Sequence, residues 1–221
     1  MDVYQTEEEQ IEAIKKWWRD NGTSMVVGVV IALSAVFGWK SWQKHGAEGA
    51  ERASVAYESV VEAVQNAENS GDTSSIENTT VTHLGEKMLE EHQDTTYSQL
   101  AALLLAKHAV EKEDLSGAAT HLQWAIDNTD DESIRMVAKL RLAKVLLAQD
   151  NGDEALTLLD SEKVPAFEAA VEELKGDIYL SKDDSVQARK AYSAASVAAK
   201  RMNKPRPILE LKLDDLAVSE S

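Results

Sequence analysis

The chain has 221 residues, 43% of them hydrophobic and 28% charged, with a net charge of −16 and no cysteine. That length leaves room for one membrane span and one sizeable domain with its own core, while the missing cysteine excludes a disulfide framework, thiol catalysis and a Cys-based metal site. Residues 1–44 carry 6 acidic and 5 basic side chains, leaving 33 acidic and 18 basic beyond them, so nucleic acid and anionic lipid are poor partners for the larger part.

Residues 1–22 predict a short amphipathic helix. Thr6 with Glu9 fits a capping box, and Glu7, Glu8 and Glu9 suit the positive end of a helix dipole. Ile11, Ile14 and Trp18 share one face with Trp17 beside it, a pattern suited to a membrane surface; the helix could also continue into the span, but Asn21-Gly22 argues for a break. From Asn21 to Trp39 there follow 19 residues without a charge. As a helix they span roughly 28 Å, close to the ~30 Å hydrocarbon layer. A buried core helix has the same length, but the flanks favour a membrane. Trp17 and Trp18 stand before the run with Lys15, Lys16 and Arg19; Trp39 and Trp42 stand after it with Lys40 and Lys44. Indole rings settle at the headgroup level and long cations snorkel to it.

A transmembrane helix is thus expected over residues 23–42. The acidic residues before it and the lack of a small-residue site directly after Phe37 argue for a retained signal-anchor rather than a cleaved signal peptide. Ser24, Gly28 and Ala32, repeated by Ser34 and Gly38, offer a face for close helix contact. Lys15, Lys16 and Arg19 balance Lys40, Lys44 and Arg52, so charge leaves the orientation open. The short leading segment and the long trailing one suit an anchor with its short end in the cytoplasm.

A juxtamembrane hinge is expected at residues 43–50, then a helical domain over 51–221. Its first helix runs to about Glu68, with Ala53, Ala56, Tyr57, Val60, Val61 and Val64 stepping by three and four. Asn69 to Thr80 reads as a loop with room for a turn of helix inside it, and Val81 to His92 as a helix with Leu84, Met88 and Leu89 inward. From Tyr97 the sequence repeats. Leu105-Ala106-Lys107 with Ala118, Leu122 and Ala125 is matched by Leu142-Ala143-Lys144 with Ala155 and Leu159, then by Gly176 and Tyr179 with Ala188, Tyr192 and Ala195. The small positions lie 37 and 33 residues apart, which indicates tetratricopeptide-like helix pairs in which a small residue lets one helix approach the next. Repeats are expected at about 99–132, 136–168 and 169–202. They are degenerate, because Glu162 stands where a small residue belongs and Lys175 where leucine belongs. Residues 207–218 predict a terminal helix through Leu209, Leu213 and Leu216, although the alternation of Leu209, Leu211 and Leu213 also allows a strand.

The fold class expected is therefore all-α: one N-terminal transmembrane helix followed by an α-solenoid of degenerate hairpins. No catalytic motif, metal site or cofactor site emerges. His45, His83, His92, His108 and His121 lack ligand spacing, and the acidic clusters Asp130-Asp131-Glu132 and Asp183-Asp184 read as helix caps. Trp124, beside Ala125, reads as core packing. A stacked helix array does offer a concave surface lined by the first helix of each pair. Its candidate protein-binding residues are Leu103, Lys107, Val110, Leu140, Lys144, Leu147, Asp177 and Leu180. Lys107 and Lys144 would be the cations able to meet a peptide carboxylate, the alternative being that both are ordinary solvated lysines.

The acidic start with Val3-Tyr4 and Glu7 to Gln10, the pair Trp17-Trp18 before Asn21-Gly22, the span ending Gly38-Trp39-Lys40 with Trp42, Ser54-Val55-Ala56-Tyr57 and the three repeats together resemble the YfgM family, the ancillary subunits of the SecYEG translocon. The resemblance implies a single-pass, type II protein of the inner membrane with its repeat domain in the periplasm. It further implies association with SecYEG and with the membrane-anchored chaperone PpiD, and transfer of translocated polypeptides to periplasmic chaperones. An alternative role it implies is regulation of Rcs envelope-stress signalling, by binding the response regulator RcsB at the cytoplasmic N-terminus. It carries over no catalytic residues.

Overall fold

The computed structural model describes residues 7–70 and 76–219. The chain divides into two compact units, residues 1–51 and 52–221. Every described element is helical, and no strand occurs among the described residues.

The first unit is built from helix α1, Glu7–Ser70, whose residues from Arg52 onward belong to the second unit. The capping box proposed for Thr6 and Glu9 lies outside the described side chains. Asn21-Gly22 and residues 43–50 are helical, which corrects the break and the hinge read from their composition. Local contacts account for this. The Asn21 amide donates to the Trp17 carbonyl at 3.2 Å, and the Trp18 indole covers Gly22. Lys44 and Glu48 pair at 3.7 Å one turn apart, and a glycine inside a helix costs only about 1 kcal/mol. Residues 10–40 form a helical stretch long and apolar enough to cross a membrane, with hardly any of its surface buried by protein. The large apolar side chains from Met25 to Phe37 are each about half exposed. Leaving that surface in water costs on the order of 10 kcal/mol.

The second unit begins with residues 52–70 of α1, where Val60, Ala63, Val64 and Ala67 are buried and the Tyr57 ring lies 5.9 Å from Tyr97. Helix α2, Ile76–Glu91, starts five residues ahead of the expected Val81, so the turn of helix allowed within the loop is, over Ile76 to Thr80, the start of α2. Of the rest of that expected loop, Asn69 and Ser70 close α1 and residues 71–75 lie outside the described residues. Met88 and Leu89 are buried as anticipated, with Val81 and Gly85 beside them.

Three helix pairs follow: α3 (Thr96–Glu111) with α4 (Leu115–Asp127), α5 (Glu132–Ala148) with α6 (Gly152–Asp160), and α7 (Glu168–Ser181) with α8 (Ser185–Arg201). Thr95, Asp114, Asp131 and Asp184 cap α3, α4, α5 and α8 with side-chain oxygens on backbone N–H groups. The acidic clusters thus stand at helix starts. Each first helix ends in one repeated turn. Glu113, Asp150 and Asp183 adopt φ of 62°, 62° and 59°, and the next residue donates back to Ala109, Leu146 and Tyr179 at 2.8–2.9 Å. These Schellman turns recur 37 and 33 residues apart, the same steps as the small positions Ala106, Ala143 and Gly176.

Those small residues are buried, and at Gly176 the following helix leaves no room for a side chain. A β-carbon there would lie 2.3 Å from the Tyr192 ring. The two departures from the repeat pattern are resolved by ion pairs. Glu162 sits in the loop after α6, 2.7 Å from the buried Lys139 and 3.6 Å from Arg135. Lys175 reaches Asp160 at 2.6 Å and Glu172 at 3.0 Å.

Helix α9, Pro207–Ser219, settles the terminal segment as a helix. Leu209 and Leu216 are buried against Ala188, Tyr192 and Ala195. Arg189 donates to the Leu216 carbonyl at 2.8 Å, and Arg206 pairs with Glu173 at 3.0 Å. The helix covers the open side of the last pair, as a solenoid end requires.

Candidate protein-binding groove

Helices α3 and α5 are the first members of neighbouring pairs, and a groove of about 400 Å³ opens between them over α4. The repeat period brings its residues together from distant positions. Ala106 and Val110 come from α3, Leu115 and Leu122 from α4, and Val145 and Ala148 from α5, forming apolar walls. Lys107, Glu111, Arg141 and Lys144 line the same groove.

Three of the residues expected on this surface therefore meet in one place: Lys107, Val110 and Lys144. The others stand elsewhere. Leu103 is only 8% exposed and belongs to the core, where its side chain serves packing. Leu140 and Leu147 are half-buried against that core. Leu180 is 45% exposed on α7. Asp177 is occupied: it accepts from the Tyr192 hydroxyl at 2.7 Å and from Lys212 of α9 at 2.6 Å. Lys212 also lies 5.2 Å from the centre of the Tyr192 ring, so the terminal helix closes the surface at that end. Desolvation, followed by the hydrogen bond to Asp177, pushes the Tyr192 hydroxyl well above its ordinary value.

Lys107 does not stand free. Its ammonium lies 2.6 Å from Glu68 and 3.0 Å from Glu111, and these hydrogen bonds raise it above the usual lysine range while lowering Glu68. Lys144 is exposed and has no ion partner among the described residues. Sequence reasoning missed Arg141. Repeat counting selects one position per turn of each first helix, and Arg141 lies three residues before Lys144 and reaches the groove from the adjacent row. That i, i+3 spacing was the available signal.

Among the described residues no cluster of three or more His, Asp or Glu side chains forms a metal site. Of the membrane-flanking residues, Trp17, Trp18 and Trp39 are 52%, 54% and 60% exposed and Lys40 is exposed, while the Trp42 side chain lies outside the described residues.

No solved structure matches the chain. Residues 15–218 match a family described as tetratricopeptide repeat-like domain. Three full-length relatives bear the name ancillary SecYEG translocon subunit. The protein of Escherichia coli strain K12 is 34% identical over 99% of this chain and 100% of its own length. That of Haemophilus influenzae is 31% identical over 97% and 100%, and that of Aggregatibacter actinomycetemcomitans is 32% identical over 95% and 97%. The match covers the apolar segment and the repeats alike, and this chain belongs to the YfgM family of ancillary SecYEG translocon subunits, a non-catalytic kind of protein with a tetratricopeptide-like domain.

Proposed function

We propose that this protein is a non-enzymatic adaptor of the SecYEG translocon, held in the inner membrane by residues 23–42 as a type II signal-anchor. Residues 51–221 face the periplasm, where they bind translocating polypeptides and the membrane-anchored chaperone PpiD and pass the former to periplasmic chaperones. The observation that carries the reading is the joining, in one chain, of an unburied apolar helix and a repeat domain with an open groove, along the full length of relatives named for the translocon. An apolar helix places the protein beside other membrane components, and a helical solenoid with an uncovered groove serves contact rather than catalysis.

The test is a mild-detergent extract of native membranes resolved by native electrophoresis. Co-migration with SecYEG and PpiD is the expected result; migration free of both overturns the reading. A photoreactive residue at Val110, which is exposed in the groove, is expected to capture PpiD or translocating chains in intact cells.

A further inference from the structure

We infer that the α3–α5 groove selects acidic–aliphatic segments: an extended stretch of a partner polypeptide that places an aliphatic side chain between Ala106, Val110 and Val145 and an adjacent carboxylate on Arg141 and Lys144. The inference rests on the adaptor reading for the existence of a partner, and goes beyond it in naming the chemistry that the groove accepts.

Helix α5 carries four cations, and they divide along its length. In the first half, Arg135 and Lys139 are both neutralised within the protein by Glu162. In the second half, Arg141 and Lys144 have no carboxylate partner among the described residues, and Arg141 makes only a 3.4 Å hydrogen bond to the Leu103 carbonyl. Chain beyond residue 44 holds 33 acidic and 18 basic side chains, so spare carboxylates abound, yet among the described residues none reaches these two. Both cations line the groove. Lys107 opposite them is held by Glu68 and Glu111, which leaves the α5 side as the positive one.

An apolar floor beside unneutralised cations favours a ligand with both characters. Aliphatic contact supplies the burial, and guanidinium and ammonium groups supply charge-assisted hydrogen bonds that are short and directional. A basic segment meets repulsion at Arg141 and Lys144. A purely apolar segment leaves both cations partly desolvated without a partner, which is unfavourable.

The test uses the full chain in lipid nanodiscs and three fluorescein-labelled peptides of equal length: one with leucine between two glutamates, one with leucine between two lysines, and one with glycine between two glutamates. Fluorescence anisotropy is expected to give binding of the first at least about tenfold tighter than either of the others, weakening with salt. Lys144→Glu, at an exposed position, is expected to weaken the first peptide about tenfold or more and to strengthen the lysine peptide; Arg141→Gln weakens the first without strengthening the second. Equal binding of the three peptides, no binding of the first, or indifference to Lys144→Glu overturns the inference. So does sedimentation showing that the groove variants act only by breaking self-association, which makes a second copy the occupant. Co-migration with SecYEG is scored in parallel on the same variants. Wild type free of SecYEG but selective among the peptides refutes the adaptor reading alone; wild type bound to SecYEG but unselective refutes this inference alone.

Discussion

Replacing Gly176 by alanine adds one carbon where the Tyr192 ring of α8 lies against α7. The new β-carbon would lie 2.3 Å, 2.4 Å and 2.9 Å from three atoms of the Tyr192 ring, against about 3.5–4.0 Å for an unstrained carbon contact. The ring has little room to yield. It is 1% exposed, its hydroxyl is tied to Asp177 at 2.7 Å, and α9 lies over it. Either α7 and α8 move apart by about 1 Å or the ring turns and loses that hydrogen bond. Because the ring has little room to yield, the overpacking cost lies in the upper part of the usual range, about 2–3 kcal/mol, and the better helix propensity of alanine returns about 1 kcal/mol. A net loss of roughly 1–2 kcal/mol follows, or a fall of about 2–8 °C in the melting temperature of a domain this size. Urea and thermal unfolding of the detergent-solubilised chain, followed by far-ultraviolet circular dichroism, measure it. Gly85→Ala is the control. Its β-carbon meets the Leu105 side chain at 2.4 Å, 2.6 Å and 2.9 Å, but a leucine has no hydrogen bond to lose when it shifts, so a smaller change is expected. Tyr192→Leu combined with Gly176→Ala should show a coupling of about 1 kcal/mol in a double-mutant cycle. Additive effects, or a Gly176→Ala protein as stable as wild type, would refute the packing argument.

Lys139→Met leaves Glu162 half-buried with only Arg135 at 3.6 Å, and a loss of about 1–3 kcal/mol in urea unfolding is expected, partly recovered by adding Glu162→Gln. Glu113→Gly and Asp150→Gly replace residues held at φ of 62° and are expected to raise stability by about 0.5–1 kcal/mol each, whereas valine at either place lowers it. Burial holds the His108 and His121 imidazoles below the ordinary value of 6.5. The unfolded chain therefore takes up protons that the folded chain refuses; stability is full above pH 6.5 and declines as pH falls through and below it. His108→Gln with His121→Gln should flatten the stability profile between about pH 7 and 5, and an unchanged slope would remove these two groups as the cause.

What the sequence determined by itself was the local and the periodic. An uncharged run bordered by tryptophans and lysines, small residues recurring at 37 and 33 residues, and the acidic caps before α5 and α8 are short-range signals, because helix propensity, capping and amphipathic period act within a few turns. Composition misread Asn21-Gly22 and residues 43–50 for a related reason: glycine and asparagine lower helix stability modestly, and the Trp18 indole, the Trp17 carbonyl and the Lys44–Glu48 pair were enough to keep them helical. The groove was decided by tertiary structure. Whether a lysine on a first helix is free depends on carboxylates far along the chain, such as Glu68 for Lys107, 39 residues away, and Asp177 was taken by Lys212, 35 residues on. Leu103 turned inward while Arg141 reached the groove, because side-chain direction at an interface is set by which neighbouring helix fills the space. Periodicity places a residue on a face; only packing between helices chooses its partner.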